Sequence, residues 1–512
     1  MSGNRRDFIR FVVAGAVAAG CPIDMSLLAA PAANAPSVEG EDNKICHQVR
    51  DGKIFTRPPV SAKLDVVIVG GGMSGLAAAY KLQNRDFLLL EKEPHWGGNA
   101  TVAEYGGSIY ATGAAFLDGK EDEGYVLARE IGIEPLPVSN WDGTIVNGEF
   151  VPDTWGEGLD KLPYSASVKD GFRKYREQIL TVDFKKRKEG LDNVPLSDLM
   201  KGYPAEVKQW WDNYGPSNWG ATSDDTAAMI GVYELQAIAG KDREDERYTF
   251  AGGLGAISKR LAETLQSKHK DRMVTGATIV AVENDKSEAR VTYVQSGELK
   301  TVAAKAVIMA TPKFITRRLV QGLPDKQSDA MQEMRYIPYA VVNLIYDVPV
   351  FNRGYDTWCP GNRFTDVIVA DWVIKKQSGY QQKYNILSCY TPMHEDERRL
   401  LLTEDGARRI ASEVLTGFQK LTPSTNADPV EVHIYRRGHP LYMSTPGLYT
   451  KIQPLVRAPF DRIYFANTDS EGPVSGTGPA IAAAQRAVSE VEKRLAGWKV
   501  QPASRIEAIV PA

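Results

Sequence analysis

Cysteine is scarce. Four residues in 512, Cys21, Cys46, Cys359 and Cys389, are too few and too scattered for a disulfide framework or a zinc ribbon, and no metal site is expected. A haem-attachment motif around KICHQ would need a second cysteine where Asn43 stands, so covalent haem is not expected. Excess charge is also missing. Lys plus Arg total 61 against 64 for Asp plus Glu, a net charge of −3, and no basic block occurs beyond the N-terminus. That argues against a nucleic-acid partner. Long apolar runs are absent too: FVVAGAVAAG near the start is about half of what a bilayer crossing needs. Repeats and low-complexity tracts do not occur. What remains is ordinary soluble composition, 43% hydrophobic and 24% charged, in a chain long enough for two or three domains.

The first residues carry an address. NRRDFIRF and the short apolar run after it resemble a twin-arginine export signal, which implies translocation of a folded protein to the periplasm by the twin-arginine machinery. Two processing points stay open: a lipoprotein-like AAGC ending at Cys21, which would give a lipid anchor, and Ala33-Asn34-Ala35. Residues 1–35 are read as the signal peptide and 36–60 as a linker or an arm packed on the first domain.

LDVVIVGGG reads as a buried parallel strand running into Gly70-x-Gly72-x-x-Gly75, and LAAAYKLQ continues as a helix. Gly70 permits the tight turn, Gly72 admits a diphosphate, and Gly75 lets helix and strand approach. Met73 and Ser74 fall in the first helical turn, whose free N–H groups and dipole favour an anion. The next strand, FLLL, delivers Glu91, placed to hold ribose hydroxyls, and Lys92 follows it. Strand, turn, helix, strand and acid in register specify a dinucleotide site.

Beyond Glu91 the chain has a second glycine pair, Gly97 and Gly98, then a small-residue turn, Gly113-Ala114-Ala115. This succession resembles the flavin-containing amine oxidoreductase family, within the amine oxidase and phytoene desaturase-like superfamily. The resemblance implies non-covalent FAD, with the pair against phosphates and ribitol and the turn near the isoalloxazine ring. Asn99 stands where the family often has arginine. Two later blocks extend the likeness, YTFAGGLGAISKRLAETL through AKAVIMATP, and DRIYFANTDSEGPVSGTGPAIAAAQRAV. They imply an adenine contact at Ile279, an acid near ribitol at Asp469, and cofactor contacts at Gly478 and Ala480. Ile481, Val488, Val491 and Leu495 give the last helix one apolar face, and Gly497 can end it. No second such glycine motif occurs, so a separate NAD(P)H domain is not expected.

The predicted fold is α/β, a Rossmann-like FAD-binding domain with a discontinuous α+β substrate domain. Residues 61–118, 246–320 and 455–497 form the FAD-binding parts, and 119–245 (helical) and 321–454 (strands) the substrate domain. Residues 498–512 are a tail. Amine oxidoreductases commonly hold a lysine near flavin N5, but the matching segment, YIPYAVVNLIYDV, has none. His439 is the candidate proton acceptor and Tyr339 a candidate cavity residue; each is also read as structural. Arg436 and Arg437 read as a solvated pair, with binding of an anionic substrate group as the alternative, and Trp210, Trp211 and Trp219 as either a channel cap or packing. The expected function is an exported FAD-dependent oxidoreductase that takes a hydride from a small substrate, an amine first. The electron acceptor is left open between oxygen, a quinone and a redox protein. Two alternatives stand beside it: a desaturase or isomerase for an apolar isoprenoid-like substrate, and a flavin-loaded relay or binding protein without turnover.

Overall fold

The computed structural model describes residues 35–496 apart from 242, 244–246, 286 and 423–426. The paired arginines, Cys21, Asn34, Gly497 and the tail lie outside the described residues. Two sheets organise the chain. The first has seven strands, ordered Met273–Val274, Phe87–Leu90, Val60–Val69, Glu298–Met309, Ala289–Gln295 and Ala277–Asn284, with Ile463–Phe465 also paired to Glu298–Met309. Its inner pairings are parallel, and Val66 to Val69 are buried on both faces, as a central parallel strand requires.

Helices Met73–Lys81, Gly255–His269 and Thr477–Leu495 cover one face of that sheet. Alanines at 77, 78, 79, 480, 484 and 487 let the first and last of these pack closely. Leu76, Ile481, Val491 and Leu495 fill the remaining space, each contributing about 1.5–3 kcal/mol by burial. Chain from three separated regions thus meets in one core.

The second sheet has eight strands, in the order Ser37–Gly40, Glu431–Tyr442, Tyr336–Tyr346, Asn385–Pro392, Asp366–Val369, Asp356–Trp358, Gly143–Val146 and Glu149–Pro152. Helix Glu404–Leu421 covers its outer face through Ala407, Ile410, Ala411, Val414 and Phe418. Thr403 caps that helix, its side chain accepting the Gly406 N–H at 3.1 Å. Helices Ala166–Leu180, Ala205–Trp219 and Ala228–Ala239 pack beyond the inner face. The architecture is mixed α/β, as the sequence predicts.

Three placements differ from expectation. The arm does not simply lie on the first domain, because Ser37–Gly40 adds as a parallel edge strand to the second sheet, opposite His433 to Arg436. The hairpin Gly143–Pro152 extends that sheet from within the supposedly helical insert. Helix Glu123–Glu130 lies past the expected boundary at 118, yet Leu127, Ala128 and Ile131 pack into the core of the first sheet. In each case a short segment gains backbone partners or apolar burial from distant chain, which local pattern does not reveal.

Candidate functional site

Between the sheets runs a cavity of about 3000 Å³. Every expected cofactor-site residue except Gly75 borders it, and so do His439 and Tyr339. Gly75 instead serves packing: a Cβ there would sit 1.7 Å from the Gly70 carbonyl oxygen. Gly70 has φ +105°, which other residues rarely adopt. Gly72 differs. A Cβ on it would meet nothing nearer than the Gly98 Cα, at 3.8 Å, and would project into the cavity. This open cradle lies at the start of helix Met73–Lys81, whose first N–H groups have no side-chain cap. The space and the donors fit a diphosphate.

Glu91 closes one side. It is 7% exposed and accepts the Gly71 N–H at 2.6 Å and the Glu93 N–H at 2.8 Å, which fixes both oxygens beside the cradle. Burial pushes its carboxyl above the usual range. Lys92 pairs with Glu93, with Glu41 of the arm 3.9 Å away. Ser74 points elsewhere than its cofactor assignment implies: its hydroxyl donates to the Ala480 carbonyl and accepts the Asn467 N–H at 3.1 Å. It ties the first turn to the last helix. Gly478 is held tightly against Asp122, where a Cβ would meet the carboxylate at 2.9 Å. Ile279 sits at a bulge in its strand. Asn99 donates to the Pro440 carbonyl at 2.9 Å, and its own carbonyl receives the Ala114 N–H at 3.1 Å. It braces the Gly113-Ala114-Ala115 turn against strand Glu431–Tyr442 just after His439.

Asp469 is not a free acid awaiting hydroxyls. Its Oδ1 lies 2.5 Å from Lys313 Nζ, and its Oδ2 accepts the Lys313 N–H at 2.9 Å and the Tyr336 hydroxyl at 2.7 Å. Lys313 was not singled out from sequence. Its side chain has no exposed surface, and burial pulls its ammonium below the usual lysine range against the pull of Asp469. His439 stacks on Phe314 with centroids 4.3 Å apart; burial and Arg398 bring its pKa down to about 4. A near-neutral switch is therefore replaced by a neutral imidazole. Tyr339 donates to or accepts from Ser217 at 2.7 Å, and burial holds its phenol well above the usual range. Arg437 is no solvated residue: it donates to the Thr112 carbonyl at 2.6 Å beside the small-residue turn. Arg436 donates to the Leu401 carbonyl. Trp210, Trp211 and Trp219 all pack in one buried core, and Trp210 and Trp219 also border the cavity.

The inner face of the second sheet forms the opposite wall. Tyr435, Val341, Tyr390, Asp366 and Trp358 stand directly across from one another on five successive strands. Asp356 is two residues from Trp358 and pairs with Ile368, so all seven share one face, and all border the cavity. Tyr390 donates to the Gly113 carbonyl at 2.6 Å, which ties this wall to the small-residue turn. Within the lysine-free segment Tyr336, Tyr339 and Val341 border the cavity. Burial pushes the Asp366 carboxyl up to about 7 and Asp356 well above its usual range, the latter also through Asp142 and Asp366. Asp118 opens onto the same cavity, where enclosure and Glu234 push it up to about 7. The one local signal for this wall is a single acid opening each of two short strands, DTW and DVIV.

A family model described as flavin containing amine oxidoreductase matches residues 73–492. Oxidoreductase PigB of a Serratia species is 22% identical over 523 residues, covering 85% of this chain and 76% of that protein. A putative flavin-containing monoamine oxidase, AofH of Mycobacterium tuberculosis, is 23% identical over 481 residues, covering 86% of this chain and 98% of its own. Among solved structures, cyclohexylamine oxidase from Brevibacterium oxydans IH-35A aligns with a TM-score of 0.66 at 18% identity, over 85% of this chain and 99% of that one.

Proposed function

The chain belongs to the flavin containing amine oxidoreductase family and is an FAD-dependent oxidoreductase, and from that premise we propose that it oxidises a C–H bond beside the nitrogen of a small organic amine. When bound, FAD supplies the two-electron acceptor for the hydride of that bond. The single observation that carries the amine reading is the continuity of one cavity from the Gly72 cradle to a wall of tyrosines and acids.

The chain's own groups have distinct tasks in this reading. The first turn after Gly72 holds the diphosphate and Glu91 the ribose, without a covalent bond to the cofactor. Asn99, Tyr390 and Arg437 fix the small-residue turn, and so set where a substrate carbon can stand. Val341, Tyr390 and Tyr435 line that end of the wall, and their largely apolar surface favours the neutral amine whose lone pair assists C–H cleavage. His439, neutral above about pH 4, adds no charge there. The lack of lysine in the segment around Val341 supports a quinone or a redox protein, rather than oxygen, as electron acceptor. The paired-arginine start supports export of the loaded, folded enzyme to the periplasm. An apolar isoprenoid-like substrate is a poorer match, because it would leave buried Asp356 and Asp366 facing hydrocarbon.

Anaerobic mixing tests the reading. Amines are expected to bleach the flavin absorbance while carotenoid-like compounds leave it unchanged; the opposite result would make the enzyme a desaturase.

A further inference from the structure

The arm before the first sheet reaches both sheets. Its strand, Ser37–Gly40, pairs at the edge of the second sheet, opposite His433 to Arg436. Helix Lys44–Arg50 packs on the other side, against strand Ala277–Asn284 and helix Lys313–Leu319, where Arg318 donates to the Arg50 carbonyl at 3.3 Å. The arm thus crosses between the sheets, and Glu39, Glu41, Asn43, Cys46 and His47 border the cavity that separates them. Glu41 stands at the crossing. Its carboxylate lies 3.9 Å from Lys92 Nζ, next to Glu91, and it also accepts hydrogen bonds from Asn43 and the Gly438 backbone. Enclosure raises its pKa, but Lys92 and Arg437 outweigh that and hold the carboxyl below the usual range. Arg437 in turn donates to the Thr112 carbonyl at 2.6 Å, beside Gly113. One carboxylate therefore ties the ribose side of the cradle to the small-residue turn.

We propose that residues 37–50 form a strap over the cofactor, which lifts to admit FAD, closes across it through Glu41, and retains it once bound. The inference rests on the FAD site alone and is independent of the substrate. The attachments of the arm are light, as a strap requires. Neither its strand nor its helix has a fully buried residue, and only Val38 and Val49 pack, half-buried, against apolar clusters. The side chain of Asn43 does not cap the helix. Gly52, at φ +84°, turns the chain just after the helix, and Ile54 beyond it is 90% exposed. Arg57 fixes the chain again only after this connector, pairing with Glu283 at 2.6 Å. A segment with so few buried apolar contacts opens at far lower cost than the sheets it spans. A ligand held both at Glu91 and at the small-residue turn passes the carboxylate that ties them together. Its release then waits for the edge pairing and the Glu41 contacts to break, which slows dissociation without any covalent bond to the cofactor. Gly40 is where the strap can be lifted: a Cβ there would lie 2.6 Å from Arg436 Cγ and 3.1 Å from the Arg436 carbonyl oxygen.

Hydrogen exchange on the full chain, flavin-free and FAD-loaded, tests this without any variant. Amides of residues 37–50 are expected to exchange at least about tenfold more slowly with FAD bound, while those of helix Glu404–Leu421, on the outer face, stay unchanged. Equal exchange of the arm in the two forms would overturn the strap, because the arm would then be a fixed part of the sheet. Protection produced by butylamine and not by FAD would make it a substrate lid and overturn the strap as well. Gly40→Ala provides the second measurement. Release of FAD after dilution, followed as returning flavin fluorescence, is expected to be at least about tenfold faster than in wild type. The flavin-free melting temperature is expected to stay within about 2 °C of wild type. Glu41→Gln is expected to speed release in the same direction. Release at the wild-type rate from Gly40→Ala, or faster release only with a lower flavin-free melting temperature, would show that the arm does not retain the cofactor.

Discussion

Lys313 Nζ lies 2.5 Å from Asp469 Oδ1, and neither side chain has any exposed surface. The pair joins three parts of the chain that are remote in sequence. Lys313 opens the helix after the nucleotide sheet's long strand, Asp469 lies in the turn before the last helix, and Tyr336, which also binds Asp469, begins the cavity wall. Lys313 Nζ also donates to the Ala466 carbonyl at 2.9 Å. Removing one partner strands the other charge in the interior. Lys313→Met is expected to cost about 3–5 kcal/mol of stability and to shift chemical denaturation accordingly. Lys313→Met combined with Asp469→Asn is expected to recover at least half of that loss. Equal destabilisation by the single and double variants would show that packing, not charge, holds this junction.

Acidity should stabilise the folded enzyme near neutrality. Burial raises the Asp366 carboxyl from 3.8 to about 7, so between those values the folded chain holds a proton that the unfolded chain has lost. The stabilisation is fully present below about pH 4 and is lost as pH rises through 7. Asp118 acts in the same direction. Melting temperature at constant FAD is expected to fall from about pH 6 to 8, and Asp366→Asn to flatten that fall. A wild-type melting temperature that climbs over this interval would contradict the assignment.

How much of this was legible in the sequence follows range of interaction. Gly70, Gly75 and Glu91 announce themselves because strand, turn, helix and acid are adjacent, and each glycine has a local steric reason. The bonding of Asp469 is not legible locally, because its partner Lys313 is 156 residues away. Ser37–Gly40 reads as a linker, since an edge strand with mostly exposed side chains carries no apolar alternation. The acid wall depends on five strands aligning in register, and no window of the sequence contains that register.

His439 is expected to leave the pH profile of flavin reduction unchanged. Its folded pKa, about 4, lies below the ordinary 6.5, through burial and the neighbouring Arg398. Its contribution to stability is present above about pH 6.5 and is lost as pH falls towards 4. Over pH 6 to 8 the imidazole stays neutral, so His439→Asn should lower the reduction rate by less than about tenfold with no displaced inflection. Stopped-flow reduction across that range measures it. An inflection present in wild type and absent in the variant would restore His439 as the titrating base.

Gly72 and Gly75 separate cofactor binding from folding. A methyl at Gly75 collides with the Gly70 carbonyl at 1.7 Å, a backbone atom that cannot swing aside as a side chain would. Gly75→Ala is therefore expected to break the turn, with little soluble protein and no bound flavin. A methyl at Gly72 meets only the Gly98 Cα at 3.8 Å, ordinary contact distance, and occupies the space assigned to the diphosphate. Its backbone, at φ −74° and ψ −172°, is extended and open to alanine without strain. Gly72→Ala should fold, keep the circular dichroism and melting temperature of the flavin-free protein, and bind FAD at least about tenfold more weakly. Equilibrium dialysis against FAD, with the flavin-free melt alongside, distinguishes the two substitutions. Full cofactor occupancy in Gly72→Ala would move the diphosphate away from this helix.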